Sequence, residues 1–507
     1  MIASVPSATL LGVDGRPVQV EVHVSAGLPC FTIVGLPDAS CREARDRVRA
    51  ALLSSGLAWP LKRVTVNLAP SGIRKGGAGL DLAIAVALIA AVGLIDGATL
   101  AGRAFVAELG LDGSLRPVTG TVPLVDCLRV PEVVVPLDAV HEARLVGRHA
   151  VRGARMLTDV LAALRGDEPW PEPDDPDPPG GAAASCAGGP DLADVRGQRV
   201  GRWAVEVAAA GGHHVLMIGP PGSGKTMLAR RLPGLLPPLT REAALETTRV
   251  HSAAGMPLPP SRLVEQPPFR APHHTASVVS LVGGGTGALR PGEVSLATNG
   301  VLFLDELGEM PAHVLDALRQ PLEEGVVRVA RAKATVTFPA KVLLVAAMNP
   351  CPCGEIGGPG TCRCSDASRA RYARRLSGPL LDRFDLRITV QPADAADLVE
   401  GDPGESTAVV AARVARARQR AAERGVVVNA QLTGADLEAA CRLVSAAKRV
   451  LEYKLRVGAL TGRGLHRVQR VARTIADLAD ADDVTEEHVC TALELRAEIA
   501  ALQGVAV

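Results

Sequence analysis

Residues 219–226 have the composition and spacing of a phosphate-binding loop. They read GPPGSGKT, follow the apolar run 215–218 and precede a helical pattern over 227–232. Glycines let successive backbone N–H groups surround phosphate oxygens, a lysine adds charge at the β- and γ-phosphates, and a threonine hydroxyl ligates Mg²⁺. The sequence therefore predicts a site for ATP and Mg²⁺. Its expected ligands are the eight loop residues Gly219, Pro220, Pro221, Gly222, Ser223, Gly224, Lys225 and Thr226.

A second apolar run, 301–304, ends in two carboxylates, Asp305 and Glu306. Ligands bind at the carboxyl ends of parallel strands, so both side chains are expected near the phosphates. Asp305 is predicted to hold Mg²⁺ through water, and Glu306 to orient and deprotonate the attacking water. A third run, 342–347, delivers Asn349, whose amide is expected to position the same water. Acidic strand ends and an Asn before proline also occur in plain turns, so these roles depend on the preceding loop.

Four cysteines, Cys351, Cys353, Cys362 and Cys364, lie within one short loop, 351–364. Four thiolates suit tetrahedral Zn²⁺, which would fold a segment with almost no apolar residues of its own. The spacing differs from that of zinc ribbons, which favour two residues within each pair, so two disulfides or free thiols stay open as alternatives. The other six cysteines are expected to be small buried apolar groups: Cys30, Cys41, Cys127, Cys186, Cys441 and Cys490.

The composition of the whole chain limits the class of protein to which these sites belong. Its 507 residues suggest roughly three domains, and an apolar share of 47% indicates a globular chain. The 55 Lys and Arg almost cancel the 54 Asp and Glu, so the net charge of +1 favours neither a nucleic-acid nor a membrane partner. The N-terminus lacks the pattern of a signal peptide, and the longest apolar run, 82–95, is too short to span a bilayer. A cytoplasmic protein without membrane contact is expected.

Shifts in composition divide the chain into four segments. Residues 1–165 mix short β-like runs with helical ones, which predicts a compact α/β domain. Residues 166–190 are rich in Pro, Gly and Asp and are predicted to be a linker. Over 191–392, strands alternate with helices, which is typical of an α/β fold with a parallel sheet. Residues 393–507 are helical, without a convincing strand, and predict an all-α lid.

Four longer motifs lie around the nucleotide site. They read PFRAPHHTAS (268–277), RPGEVSLATNGVLFLDEL (290–307), NPCPCG (349–354) and SGPLLDRFDL (377–386). Together with the loop they resemble the YifB/ComM family of magnesium-chelatase-like AAA+ ATPases, over nearly the whole chain. The resemblance implies an AAA+ core with Asn349 at the sensor-1 position, and a homohexameric ring. In the ComM branch it implies a DNA helicase that drives branch migration during natural transformation.

The same resemblance assigns two further arginines. Ring ATPases supply positive charge to the γ-phosphate of a neighbouring subunit through an arginine finger. Arg383 matches the family position, and Arg375 is the alternative. In the lid, LTGRGLH (460–466) resembles the start of a sensor-2 helix, which makes Arg463 the candidate for contact with nucleotide in the same chain. Arg467 is its alternative.

Two segments are predicted to project into the pore of such a ring. Residues 324–341 contain two β-like arms flanking Arg331 and Lys333, which predicts a hairpin with a basic tip. The second segment, residues 272–290, contains three consecutive glycines. Its two histidines, His273 and His274, are expected to contact phosphate or to lie in a polar loop rather than to bind a metal. Because aromatic residues make up only 2% of the chain, DNA binding is expected to rely on backbone phosphates and to weaken with salt.

The N-terminal segment resembles the proteolytic domain of Lon without its catalytic pair. Gly79 and Leu80 stand where the family pattern places a serine, and Val122 lies near the position of its lysine. Without a nucleophile or a base, peptide cleavage has no chemistry available. A DNA-binding or ring-stabilising scaffold is expected, and Arg74 and Lys75 are candidates for contact with phosphate.

Two other functions stay open at this point. A magnesium-chelatase motor subunit would remodel a protein partner instead of DNA, but that class normally lacks the Lon-like segment. An ATP-dependent protease would require the missing serine and lysine.

Overall fold

The computed structural model describes residues 1–174, 189–285, 289–331, 334–356, 362–376 and 378–496. Its strands are β1 (Ile2–Leu11), β2 (Asp14–Ser25), β3 (Cys30–Val34), β4 (Arg63–Ala69), β5 (Arg103–Phe105), β6 (Glu108–Leu109), β7 (Leu115–Arg116), β8 (Glu132–Pro136), β9 (Ala150–Ala154), β10 (Val215–Ile218), β11 (Phe269–Arg270), β12 (Gly283–Gly284), β13 (Arg290–Pro291), β14 (Val301–Leu304), β15 (Val326–Arg331), β16 (Ala334–Pro339), β17 (Leu343–Met348) and β18 (Leu386–Thr389).

Its helices are α1 (Ala39–Ser54), α2 (Asp81–Ala91), α3 (Thr121–Asp126), α4 (Val140–Arg144), α5 (Leu157–Arg165), α6 (Arg199–Gly211), α7 (Lys225–Leu235), α8 (Arg241–Ala254), α9 (Val278–Val282), α10 (Glu293–Leu296), α11 (Ala312–Ala317), α12 (Arg319–Glu324), α13 (Asp366–Ala373), α14 (Gly378–Leu381), α15 (Ala395–Val399), α16 (Thr407–Glu423), α17 (Gly434–Ala440), α18 (Ser445–Arg456), α19 (Gly462–Leu478) and α20 (Glu486–Glu494).

The N-terminal part is an α/β unit with two principal sheets. One has the order β1-β2-β4-β3, and the other is a parallel sheet with the order β5-β8-β9. Helix α2 carries the long apolar run and is buried over almost its whole length, so it packs as a core helix. No helix among the described residues is long and apolar enough to cross a bilayer.

Two expectations for this unit are wrong. Lys75 cannot contact a phosphate, because its side chain is fully buried and its ammonium donates to the carbonyl oxygen of Pro70. Burial also lowers the pKa of Lys75, since an apolar environment disfavours the charged form. Cys30 is exposed at the edge strand β3 instead of buried. Arg74 is exposed, as a phosphate contact requires.

A five-stranded parallel sheet forms the centre of the ATPase part, in the order β11-β14-β17-β10-β18. Its three central strands are wholly buried, which explains their uninterrupted apolar sequences. Because all five strands run the same way, the residues that follow them meet at one edge. The predicted α/β class with a parallel sheet is confirmed.

The predicted hairpin is present, with β15 and β16 paired in antiparallel fashion from Val326 and Pro339 to Arg331 and Ala334. Its base packs through Val336 and Phe338 into the core of the ATPase part. Residues 332 and 333, at the tip, lie outside the described residues, and so does Cys186.

The described part of the chain after residue 398 is helical, as the sequence predicts. Helices α16 and α19 pack against α6, so that one hydrophobic core joins the lid to the central sheet. Helix α19 begins at the cap Thr461, whose hydroxyl accepts from the N–H of Gly464.

The N-terminal unit contacts the ATPase part along helix α8. Arg249 donates to Asp14 at 2.6 Å, and the hydroxyl of Ser252 donates to Glu142 at 2.6 Å. Val13, in the turn between β1 and β2, lies in the same apolar cluster as the base of the hairpin. The N-terminal unit therefore supports the hairpin directly.

Candidate active site

The phosphate-binding loop joins β10 to α7 with the geometry that its glycines predict. Gly222 and Gly224 have φ values of +76° and +90°, a region that residues with a Cβ rarely adopt. A Cβ at Gly219 would lie 2.1 Å from the carbonyl oxygen of Val390, so only glycine fits beside β18. The loop thus ends at the N-terminus of α7, where the backbone N–H groups and the helix dipole favour an anion.

Lys225 folds back over this loop. Its ammonium donates to the carbonyl oxygens of Gly219 and Pro220 at 2.8 Å each, and lies 3.4 Å from Oδ1 of Asn349. Burial lowers the pKa of Lys225, and the nearby charge of Asp305 opposes this effect. A bound phosphate that displaced the two carbonyl oxygens would give the Lys225 ammonium a negatively charged partner in place of two neutral ones.

Thr226 and Asp305 form a pair suited to Mg²⁺. The threonine hydroxyl donates to Oδ2 of Asp305 at 2.9 Å, which brings a hydroxyl and a carboxylate oxygen to one place beside the loop. Hard oxygen ligands are those that Mg²⁺ prefers, together with phosphate oxygens and water. The residues present therefore fit an ATP-bound magnesium ion, which would neutralise charge on the phosphates when bound.

Glu306 has a strained backbone and an unexpected partner. Its φ of +51° lies in the left-handed region, which is uncommon outside glycine and concentrates at functional sites. Its N–H donates to Oδ1 of Asp305 at 2.9 Å. Its carboxylate lies 2.7 Å from Nδ1 of His274, which precedes α9. The side chain is half exposed at the open edge of the sheet.

The four clustered cysteines lie directly beside the nucleotide site. Their sulfur atoms all fall within 4.8 Å of one another, with the closest pairs at 3.4, 3.6 and 3.8 Å. Tetrahedral zinc with bonds of about 2.3 Å places sulfur atoms about 3.8 Å apart, so the arrangement fits this ion. None of the nine described cysteines forms a disulfide, so the disulfide alternative finds no support among them.

The cysteine loop contacts the phosphate-binding loop as well as Asn349. Gly354 packs so closely on Pro221 that a Cβ would lie 2.6 Å from its Cδ. Asn349 precedes Cys351 by two residues and follows the last residue of β17. The cysteine loop therefore packs against the phosphate-binding loop and lies close to Asn349.

Both finger candidates are paired within the chain. Arg383 donates to Oε2 of Glu323 at 2.6 Å, and Arg375 donates to Glu309 at 2.9 Å and to the carbonyl oxygen of Gly308 at 2.7 Å. Glu323 belongs to α12, immediately before the hairpin. Both arginines therefore have partners outside the phosphate-binding loop, and the finger role of either one stays a prediction.

The two sensor-2 candidates differ in environment. Arg463 is exposed in the first turn of α19. Arg467 donates to Oδ1 of Asp385 at 3.0 Å, and Oδ2 of Asp385 lies 3.2 Å from Nδ1 of His213. Burial alone would raise the pKa of Asp385, but His213 and Arg467 hold it well below its ordinary value. Arg467 thus connects the lid to the core, whereas Arg463 is exposed, and the sensor-2 role of either arginine stays a prediction.

Sequence reasoning missed two partners of the catalytic candidates, His274 and Glu323. The sequence indicates a phosphate contact or a polar loop at His274, and not a contact with Glu306. Glu323 carries no pattern of its own, because an exposed glutamate on a helix is common. Neither pairing leaves a local sequence signal, since each joins residues from different elements.

The parallel sheet, its phosphate-binding loop, and Asp305 and Glu306 at the end of β14 define a P-loop ATPase of the AAA+ class. Three family models match the chain: subunit ChlI of magnesium chelatase over residues 20–138, magnesium chelatase subunit ChlI over 191–398, and its C-terminal part over 404–496.

Several relatives match along almost their full length. The competence protein ComM of Haemophilus influenzae is 44% identical over 505 residues, covering 99% of each chain. The uncharacterized protein YifB of Escherichia coli is 43% identical over 504 residues, covering 98% of this chain and 97% of that protein. A probable DNA helicase, MCM9 of Arabidopsis thaliana, is 25% identical over 208 residues, 41% of this chain and 26% of its own. The chain belongs to the YifB/ComM family of magnesium-chelatase-like AAA+ ATPases.

Proposed function

We propose that this protein is an ATP-driven hexameric DNA translocase that promotes branch migration in recombination or natural transformation. The observation that carries the proposal is the hairpin β15–β16. It is inserted between β14, which delivers Asp305 and Glu306, and β17, which delivers Asn349. An element so placed is connected through the chain to both strands that carry the catalytic candidates, and its exposed Arg331 offers charge to a phosphate backbone. Kinship with ComM and the partial likeness to a probable DNA helicase support the same substrate.

In this proposal the residues of one chain divide the hydrolytic work. Lys225 and the loop N–H groups bind the phosphates, and Thr226 and Asp305 hold Mg²⁺. Glu306 accepts a proton from the attacking water, and Asn349 orients that water. Arg463 contacts nucleotide in the same chain, and Arg383 approaches the nucleotide of the next chain in a homohexamer. The four cysteines hold a structural Zn²⁺, which fixes the loop beside Asn349.

The domain limits belong to the proposal as well: 1–165, a linker over 166–190, the ATPase core over 191–392 and the lid over 393–507. In the N-terminal domain, Gly79 stands where the Lon pattern has its serine, and buried Val122 lies near the position of its lysine. The catalytic pair of that protease is therefore missing. We infer a scaffold that braces α8 and the hairpin, not a protease.

The proposal is tested by unwinding of forked DNA and Holliday junctions with ATP. Lys225→Ala and Glu306→Gln are expected to abolish unwinding, because a general base alone contributes roughly 10²- to 10⁴-fold to rate. Arg456→Ala, which changes an exposed lid residue, is the matched control and should unwind normally. Unwinding by both site variants at the wild-type rate would refute the site assignment.

A motor that remodels a protein partner is the second candidate, favoured by the match to magnesium chelatase subunits. The two functions differ in what stimulates hydrolysis. ATP turnover that is indifferent to DNA at low salt would favour the protein partner and count against the translocase.

A further inference from the structure

Tyr372 is a buried residue of the ATPase part to which the proposed hydrolytic mechanism assigns no role. It lies on α13, which begins at Asp366, two residues after Cys364 of the cysteine loop. Its side chain is only 5% exposed and belongs to the apolar cluster that also contains Leu307. The phenol is therefore buried close to the turn that follows Glu306.

The ring of Tyr372 closes on Gly308, two residues after Glu306. A Cβ at Gly308 would lie 2.3 Å from both Cζ and the hydroxyl oxygen of the tyrosine, which is closer than side chains approach one another. Gly308 lies in the short 3-10 turn Leu307–Glu309, and its φ is outside the left-handed region, so the backbone itself does not require glycine there. Glycine is required because the ring approaches so closely.

This turn determines how Glu306 leaves strand β14. The N–H of Glu309 donates to the carbonyl oxygen of Glu306 at 2.7 Å, which closes the turn around Gly308. Glu306 has a φ of +51°, a conformation that persists only where the surrounding structure holds it. A ring packed on the middle of the turn provides such a support.

The hydroxyl of Tyr372 lies beside the other candidate for water activation, Asn349. Burial raises the pKa of this hydroxyl, so it stays protonated, and the neighbouring backbone N–H of Asn349 opposes the rise. Asn349 directly follows Met348, the last residue of β17, so the position of its backbone decides where its amide can reach. One side chain therefore contacts the turn behind the proposed base and lies beside the backbone of the residue proposed to orient water.

We propose that Tyr372 is a positioning residue that fixes the separation between the carboxylate of Glu306 and the amide of Asn349, so that both meet the same water. This inference rests on the proposed function, because it takes these two residues as the base and the water-orienting group. Both groups must lie within hydrogen-bonding reach of one water, and a displacement of about 1 Å costs roughly 100-fold in rate. The ring supports the turn, and the hydroxyl supports the strand end.

The first test is ATP turnover by Tyr372→Phe, measured without DNA. The ring stays on Gly308 but the hydroxyl is lost, so we expect kcat to fall roughly two- to tenfold, the effect of one hydrogen bond. KM for ATP should stay unchanged, because the change leaves the phosphate-binding loop and its lysine intact. Tyr453→Phe is the matched control, because the chain's other tyrosine is 60% exposed on the lid helix α18, and it should keep the wild-type kcat.

The second test examines the ring and does not depend on Tyr372→Phe. Gly308→Ala places a methyl group against the phenol, which must then shift by about 1 Å, so we expect kcat to fall roughly 100-fold. Tyr372→Leu removes the ring atoms that the methyl meets, so Gly308→Ala should cost far less when added to that variant. Gly97→Ala is the control, because this glycine also lies in a 3-10 turn and its added Cβ would meet no atom within 4 Å.

Two results would overturn the inference. One is a wild-type kcat in Tyr372→Phe, or a fall in kcat that comes with a lower melting temperature and an equal loss of nucleotide affinity, as a purely structural role predicts. The other is a cost of Gly308→Ala that is the same with and without Tyr372→Leu.

Failure of this inference and failure of the proposed function are distinguishable. ATP turnover that DNA does not stimulate would count against the translocase, whereas the comparison of Tyr372→Phe with the wild type would still decide the role of the tyrosine, because it uses no DNA. Full ATP turnover by Glu306→Gln would overturn both, since no base would remain to be positioned.

Discussion

At the scale of single residues, three of the charged groups proposed for hydrolysis are occupied by internal partners. Lys225 bonds two loop carbonyl oxygens, Glu306 meets His274, and Arg383 meets Glu323. Each partner must be exchanged for phosphate or water. The sequence nominated these groups through motifs of fixed spacing and, for Arg383, through the family resemblance, and their roles stay predictions. It could not predict the partners, because these pairings join distant elements.

The finger assignment predicts complementation between two inactive variants. Lys225→Ala removes the nucleotide contact but keeps the finger, whereas Arg383→Ala does the reverse. An equal mixture should regain about a quarter of wild-type ATP turnover, because about that share of interfaces combines an intact site with an intact finger. Arg375→Ala alone should stay active as the control. A mixture as inactive as its components would show that Arg383 does not act across chains.

His214, which is partly buried beside the central sheet, predicts a loss of stability in mild acid. Its Nδ1 accepts the N–H of Leu344 at 3.1 Å, and burial lowers its pKa from 6.5 to about 4. As the pH falls, His214 of the unfolded chain therefore binds a proton near pH 6.5, whereas His214 of the folded chain binds one only near pH 4. The stabilising contribution is complete above pH 6.5 and declines as the pH falls through this window.

From pH 7 to pH 5 this group should cost about 2 kcal/mol of the free energy of unfolding. Urea unfolding of the wild type and of His214→Gln at both pH values measures the difference. The variant should lose about that much less than the wild type. Equal losses in the two proteins would rule out His214 as the source.

At the scale of elements, the long apolar strands were the most predictable. The run 215–218 was predicted with the bounds that β10 has, and the hairpin arms were also predicted. Strand β11 was missed because its two residues are too few for a pattern. Strand β18 was missed because its sequence, LRIT, contains a charged residue. The edge strand β1 was missed as well, since its alternation is interrupted by serines and a proline.

The hairpin predicts a specific salt dependence. Arg331→Ala should weaken DNA binding similarly for all sequences and reduce the slope of log affinity against log salt by about 0.7 for each phosphate that the arginine neutralises. Titration of fluorescent single-stranded DNA over a range of salt concentrations measures the slope. Arg456→Ala should leave it unchanged. An unaltered slope in Arg331→Ala would place the DNA elsewhere.

The cysteine loop predicts one zinc ion per chain. Mass spectrometry under native conditions should detect it in the wild type and not in Cys353→Ser, which removes one of four thiolates. The melting temperature of that variant should fall by several degrees, because a metal holds together a segment with little apolar surface. Cys30→Ser, at an exposed cysteine outside the loop, should keep both properties. Unchanged zinc and stability in Cys353→Ser would exclude the site.

At the scale of the whole molecule, the N-terminal unit and the ATPase part share an interface that the sequence did not reveal. Arg249 on α8 reaches both Asp14 and Asp126, at 2.6 and 3.6 Å. The expectation that Lys75 contacts phosphate failed for a related reason, since a lysine in a glycine-rich segment gives no sign that packing will bury it. Membership of the family, by contrast, followed from motifs spread along the chain.

The central claim is that neighbouring copies complete each nucleotide site around a DNA strand. Sedimentation of Glu306→Gln with Mg²⁺, ATP and single-stranded DNA tests it most directly, because this variant is expected to keep its nucleotide. The account predicts a six-chain assembly of about 314 kDa, six times the 52.4 kDa of one chain. A chain that sediments at 52.4 kDa under these conditions, while the wild type hydrolyses ATP at full rate at the same concentration, would contradict it.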